Sequence, residues 1–128
     1  ERASTDIEAV NDPQLARVLA AIRQRAASAI AVDELAEEVG LNRRTLERQF
    51  RSAIGRSIYQ HVLRTRLARA KDLLASTDLP LRVIAAQTGF ATAQHFADCF
   101  RRKEGTTPGQ FRLRQDKQAL LTEIICDD

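Results

Sequence analysis

The feature that most constrains this 128-residue chain is that part of it occurs twice. The stretch LAEEVGLNRRTLERQFRSAIG, residues 35–55, lies over IAAQTGFATAQHFADCFRRKEG, residues 84–105. Leu35, Ala36, Gly40 and Leu41 pair with Ile84, Ala85, Gly89 and Phe90. After one inserted residue in the second copy, Leu46, Phe50 and Gly55 pair with Phe96, Phe100 and Gly105. The correspondence continues to Ser57 with Thr107 and Arg64 with Arg114. Such a repeat is one supersecondary unit used twice, so the chain must build two similar lobes.

Apolar residues recur at helical spacing through nearly the whole chain, and no stretch alternates long enough for a strand. Each copy reads as a short helix, a glycine-containing turn and a second helix. That is the helix-turn-helix pattern, whose second helix enters the DNA major groove. Ala36 and Ala85 are small enough for the close crossing of the two helices, and Gly40 and Gly89 stand where a left-handed residue ends the first one. One such pattern says little, since many helical pairs share it; two in tandem say much more.

The predicted fold is all-α: seven helices forming two helix-turn-helix subdomains joined by a long linker helix. Asp12 caps a first helix with Pro13 at its start, running to about residue 28. Helices at 32–39 and 43–54 are stopped by Gly40 and Gly55. A long helix covers 57–76, a short one opens near Pro80, the next covers 93–104 and stops at Gly105, and the last begins near Pro108. The corresponding organisation is a linker at 1–12, a first lobe at 13–56, a linker helix at 57–77, a second lobe at 78–114 and an extension at 115–128. A 20-residue connecting helix is roughly 30 Å long, close to the roughly 34 Å between successive major grooves on one face of DNA. One chain is thereby expected to reach two adjacent grooves.

Charge is divided in the same way. Residues 1–40 carry 4 basic and 8 acidic side chains, residues 41–114 carry 15 and 5, and residues 115–128 carry 1 and 4. A central segment at +10 between acidic ends suits a polyanion-binding surface better than general solubility. There is no 18-residue apolar run and no secretory signal, so neither a membrane span nor export is expected. Cys99 and Cys126 have no CxxC spacing and no histidine cluster, which points to reduced cytosolic thiols without a metal site or cofactor. The sequence contains no methionine, even at position 1, which suggests a piece of a longer protein.

The helix expected at 43–54 opens on Arg43 and Arg44, beside the positive end of its own macrodipole, where each cation costs roughly 0.3–1 kcal/mol. Breaking a local rule in this way is typical of functional positions. With Leu46, Phe50, Ala53 and Ile54 buried, the opposite face carries Arg43, Arg44, Glu47, Arg48 and Arg51. Arg44 and Arg48 lie one turn apart and suit bidentate contacts to guanine. The alternative is a solvated charged face. In the second copy the outward positions are Ala93, Gln94, Ala97, Asp98 and Arg101. Gln94 stands where Arg44 stands and suits adenine, whereas Asp98 replaces Arg48 and repels phosphate unless it accepts from cytosine or pairs with Arg101 or Arg102. His95 flanks this surface, either as a DNA contact or as an ordinary exposed imidazole.

The expected base-contacting set is Arg43, Arg44, Glu47, Arg48, Ala93, Gln94, His95 and Asp98. The expected phosphate-contacting set is Asn42, Thr45, Arg51, Arg56, Thr92, Arg101, Arg102, Lys103 and Thr107, several of them at helix N-termini. Arg64, Arg66, Arg69 and Arg82 either add to the field or pair with acids.

The segment RLARAKDLLASTDLPLRVIAAQTGFATAQHFADCFRRKEGTTPGQFR, residues 66–112, resembles the signature region of AraC/XylS-type bacterial transcription regulators. The likeness extends over about 13–114. It rests on the 70–74 helix end, Ile84-Ala85, Gly89-Phe90, Phe96, Phe100, Gly105, Pro108 and Phe111. It implies a seven-helix DNA-binding domain, promoter double-stranded DNA as partner, and activation or repression through RNA polymerase. It also implies a separate N-terminal effector-sensing or dimerisation domain. Base contacts carried over by position fall on Arg44 and Arg48, and on Ala93, Gln94 and Asp98. Ile58 stands where the family often has proline, and Asp98 where it often has a basic or polar residue, which puts base reading by the second lobe in question. The leading residues 1–23 are similar to the lead-in of sugar-responsive, xylose-regulator-like members.

No nucleophile–base pair, phosphate-cradling loop or metal cluster suggests an enzyme. A stand-alone two-lobe regulator and a helical protein-interaction adaptor remain the other readings. Adaptor binding would be insensitive to salt, whereas groove binding weakens steeply with it.

Overall fold

The computed structural model describes residues 12–126. The linker expected at 1–12 therefore lies outside the described residues except for Asp12, as does half of the xylose-regulator-like lead-in. Seven helices are present among the described residues: α1 (Pro13–Arg25), α2 (Val32–Glu38), α3 (Arg43–Ile54), α4 (Ile58–Ser76), α5 (Leu81–Gln87), α6 (Ala93–Glu104) and α7 (Pro108–Cys126). The chain divides into two compact units between Thr65 and Arg66, inside α4.

In the first unit, Asp12 caps α1 by accepting from the backbone N–H groups of Gln14 and Leu15, at 3.0 and 3.3 Å. The helix ends at Arg25, earlier than its apolar spacing suggests. The N–H and hydroxyl of Ser28 both donate to the Arg25 carbonyl, at 2.9 and 3.0 Å, and turn the chain there. Side chains of α1 then serve α2. Gln14 Nε2 donates to Val39 O and an Arg17 nitrogen to Glu38 O, both at 2.8 Å, satisfying carbonyls that a helix end leaves without partners. Arg25 and Glu38 form a two-point ion pair at 2.8 and 3.0 Å. Leu15, Val18, Ile22, Leu35, Leu46 and Phe50 fill the core with Ile58 and Val62 from α4. Ala53, expected to be buried, is only partly so at the edge of this core, and Leu19 packs against the core as well.

The second unit repeats the plan with aromatic filling. Phe90, Phe96, Phe100 and Phe111 form a chain of ring contacts with centroids 5.2, 5.8 and 5.5 Å apart. Such tilted and edge-on pairs add about 0.5–1.5 kcal/mol each beyond their buried area. Arg112 of α7 closes this unit. Its guanidinium donates to the carbonyls of Leu74, Leu79 and Thr77 at 3.2, 2.7 and 3.1 Å, binding the end of α4 and the following turn to α7. Lys71 pairs with Glu104 at 3.2 Å and lies 5.9 Å from the Phe111 ring centre.

The duplication is carried into the hydrogen bonds. Leu41 N–H donates to Ala36 O and Phe90 N–H to Ala85 O, each at 2.9 Å. Gly40 and Gly89 hold φ of +75° and +97°, the left-handed region that L side chains enter at a cost of about 1–2 kcal/mol. After these turns, Asn42 accepts from Thr45 N–H at 2.7 Å and Thr92 from His95 N–H at 3.0 Å. Two capping boxes open the helices that follow: Ser57 with Gln60 in one lobe and Thr107 with Gln110 in the other. Even the ring contact recurs, with Phe50 edge-on to His61 at 5.6 Å where Phe100 meets Phe111.

Among the described residues no helix is long and apolar enough to cross a membrane. The tail at 115–126 continues α7, and its Leu120 and Leu121 are exposed at 59% and 55%.

Candidate nucleic-acid interface

The two second helices of the motifs, α3 and α6, present matching faces because their buried faces match. Leu46 and Phe50 in one, and Phe96 and Phe100 in the other, are fully buried. With 3.6 residues per turn this rotates Arg44 and Arg48, and equally Gln94 and Asp98, outward. Arg43 and Ala93 lie two turns before Phe50 and Phe100 on the buried side, and are exposed because they open their helices; all six are exposed. Glu47 and Thr45 are half-buried, while His95 is exposed with its ring edge-on to Phe90 at 5.6 Å.

On α3 the structure separates the two opening arginines. Arg43 has an acidic neighbour, Asp33 of α2, at 3.8 Å. At this exposure the pair is worth little, but it relieves the charge at the helix start. Arg44, Arg48 and Arg51 have no ion pair or hydrogen-bond partner among the described side chains. Three exposed guanidiniums thus lie along one helix face, with Arg44 beside the positive helix end, available to an anion that enters from solvent.

On α6 Asp98 takes a partner other than the two arginines named as one alternative for it. Asp98 forms no ion pair with Arg101 or Arg102; its Oδ1 accepts from Gln94 Nε2 at 3.0 Å. These residues are four apart on the exposed face, the spacing at which helical side chains meet, and that spacing was the available sequence signal. Arg101, Arg102 and Lys103 are exposed in the last turn of α6, where cations complement the negative helix end. They lie about 12–15 Å along the 12-residue helix from Ala93, so the structure does not gather them with Gln94 and His95.

The remaining expected phosphate contacts differ in what they already do. Asn42 and Thr92 use their acceptor oxygens as caps and keep donors for a ligand. Thr107 is engaged in its capping box. Arg56 is half-buried and its guanidinium donates to His61 Nδ1 at 2.9 Å; since arginine has no acceptor, the imidazole must be the acceptor there. Arg66 and Arg69 are half-buried, whereas Arg64 and Arg82 are exposed. Arg112, which nothing in its spacing distinguishes from its neighbours, is structural.

Cys99 is buried in the second unit, and burial pushes its thiol above the ordinary value, which keeps it protonated and unreactive. Among the described residues no group of histidine, cysteine and carboxylate side chains could hold a metal ion.

Two helix-turn-helix lobes in one chain define a class of protein, and known proteins agree on it. A helix-turn-helix domain family matches residues 35–114. The chain is 33% identical over 112 residues to the xylose operon regulatory protein of Escherichia coli K12, covering 88% of this chain and 29% of that protein. It is 33% identical over 111 residues to the transcriptional activator RhaS of Klebsiella pneumoniae, covering 87% and 39%. Among solved structures, the DNA-binding domain of AdpA in complex with a target DNA matches with a TM-score of 0.77 at 28% identity, over 80% of this chain and 93% of that one. The xylose-binding transcription activator xylR matches with a TM-score of 0.70 at 32% identity, over 79% and 27%. The chain belongs to the AraC-type helix-turn-helix family. It spans under two-fifths of the length of these two curated relatives.

Proposed function

We propose that this chain binds double-stranded DNA sequence-specifically at promoters and regulates transcription, with α3 and α6 as its reading helices. The observation that carries the proposal is the exposed row of Arg44, Arg48 and Arg51 on α3, without acidic partners and inside a segment of charge +10. A fold selected for stability alone would place acids at Arg43 and Arg44. The AdpA domain was solved on its target DNA, which supports the same use of this fold here. Asn42, Thr92 and the free cations would hold phosphates, while Arg44, Arg48, Gln94 and His95 would face base edges.

Residues 13–56 and 78–114 act as the two reading lobes, with 57–77 as the connection and 115–128 as an extension. Each lobe is assigned one major groove of a single duplex. The chain serves as the DNA-reading part of an effector-responsive, cytoplasmic bacterial regulator, with RNA polymerase as the downstream partner. Binding, not catalysis, is its contribution.

Footprinting on duplexes selected from a random pool tests this reading, with a protected region of about two helical turns as the expected result. Arg44→Ala should cost about 1–3 kcal/mol at a selected site and relax the preference at one base pair. Equal loss on random DNA would reduce Arg44 to a phosphate contact. Salt-insensitive binding, or no selected sequence, would overturn the proposal.

A further inference from the structure

We propose that Asp98 is a positioning residue that orients Gln94 to read adenine in preference to guanine; this rests on α6 being a reading helix. The two side chains form a pair within α6, Gln94 Nε2 donating to Asp98 Oδ1 at 3.0 Å. An ionised carboxylate can only accept, so the nitrogen end of the amide must face Asp98. Gln94 carries two N–H donors and one carbonyl oxygen, and the bond to Asp98 consumes one donor. What remains is one donor and one acceptor. Adenine presents one acceptor, N7, and one donor, its N6 amino group, in the major groove, whereas guanine presents two acceptors. Without Asp98 the amide has two donors and free rotation, and its discrimination between the two purines falls.

The placement of the pair supports this use. Both side chains are exposed on the face opposite the buried Phe96 and Phe100, so the bond is not there to fill a core. An exposed bond between neutral and charged groups adds little stability, but it removes rotamer freedom from Gln94 before any DNA arrives. Asp98 also borders an open cleft of about 260 Å³ together with Arg101 and Arg102, whose charges temper its repulsion of phosphate. The first lobe has no such device. Arg44 and Arg48 occupy the matching positions, offer donors only, and suit acceptor-rich guanine. The two lobes would thus read opposite purines from one scaffold.

The test begins with selection of a binding motif by the wild-type chain from random duplexes, followed by competition between sites in which one base pair is changed. At the position whose preference Gln94→Ala erases, wild type should favour adenine over guanine by roughly tenfold or more. Asp98→Ala should reduce that ratio to within about threefold. The Gln94→Ala/Asp98→Ala pair should do no further damage than Gln94→Ala alone, because the effect of Asp98 passes through Gln94. Asp98→Asn, which keeps an acceptor oxygen without the charge, should restore part of the preference. Circular dichroism should show all variants folded, since both sites are exposed.

An unchanged adenine-to-guanine ratio in Asp98→Ala, with affinity shifted equally on every sequence, would leave Asp98 as a charge only and overturn the proposal. A selected motif that Gln94→Ala leaves intact would overturn it too, while sparing reading by α3. Failure to select any motif would instead remove the DNA-binding reading itself.

Discussion

The two lobes are the same inside and different outside. Leu35 and Ile84, Ala36 and Ala85, and Phe50 and Phe100 occupy equivalent buried positions, and each pair conserves size and apolarity. On the exposed faces Arg44 faces Gln94 in the register, and Arg48 faces Asp98. Packing constrains the first set, because an interior at crystal-like density tolerates few volumes and no unpaired polar group. Nothing in the fold constrains the second set, so those positions are where two copies can acquire separate tasks. The lobes also differ in how their cores are filled. The first relies on aliphatic side chains around Phe50, and the second on a run of four phenylalanines.

Truncating the equivalent central residues is the strongest way to break the parallel. Phe96→Ala should destabilise the second unit by about 3–5 kcal/mol and Leu46→Ala the first by about 2–5 kcal/mol. Hydrogen exchange resolved by helix should show each loss concentrated in its own unit. Equal loss of protection across both would mean that they unfold as one.

A smaller effect should sharpen the contrast. Arg112 has three carbonyl partners in the second unit, and the equivalent position of the first is the buried Val62. Arg112→Ala should cost about 1.5–3 kcal/mol, the scale of hydrogen bonds to a charged group. Amides of α5–α7 should exchange faster while those of α1–α3 do not. An unchanged thermal midpoint would show that water replaces the guanidinium without loss.

The smallest effect concerns the ion pair of the first unit. The hydrogen bond from Arg25 holds the Glu38 carboxyl below its ordinary value, and the same bond raises Arg25. A folded value below the unfolded one means that Glu38 contributes stability above the ordinary carboxylate range near pH 4.3, and loses it as pH falls through the lowered folded value. Glu38→Gln should therefore lower the thermal midpoint slightly at pH 7, and the gap to wild type should close in acid. A gap independent of pH would assign the effect to packing.

Much of this was legible in the chain. The duplication, the glycine turns and the helical period located α3 and α6 to the residue, because apolar spacing and left-handed stops are local properties. The end of α1 was not, since Ser28 turns the chain at Arg25 by hydrogen bonds that periodicity does not register.

By itself, then, the sequence determined where the helices lie apart from the end of α1, which apolar residues fill the two cores, and that one unit is used twice. Only the tertiary structure decided the fate of the polar side chains. It sent Arg112 inward to three carbonyls, tied Arg56 to His61, gave Arg43 an acid from α2, and joined Asp98 to Gln94 instead of its neighbouring arginines. Apolar side chains need only be hidden, and a period suffices to say so. A cation has several partners within reach, and which it takes depends on the positions of atoms far away in sequence.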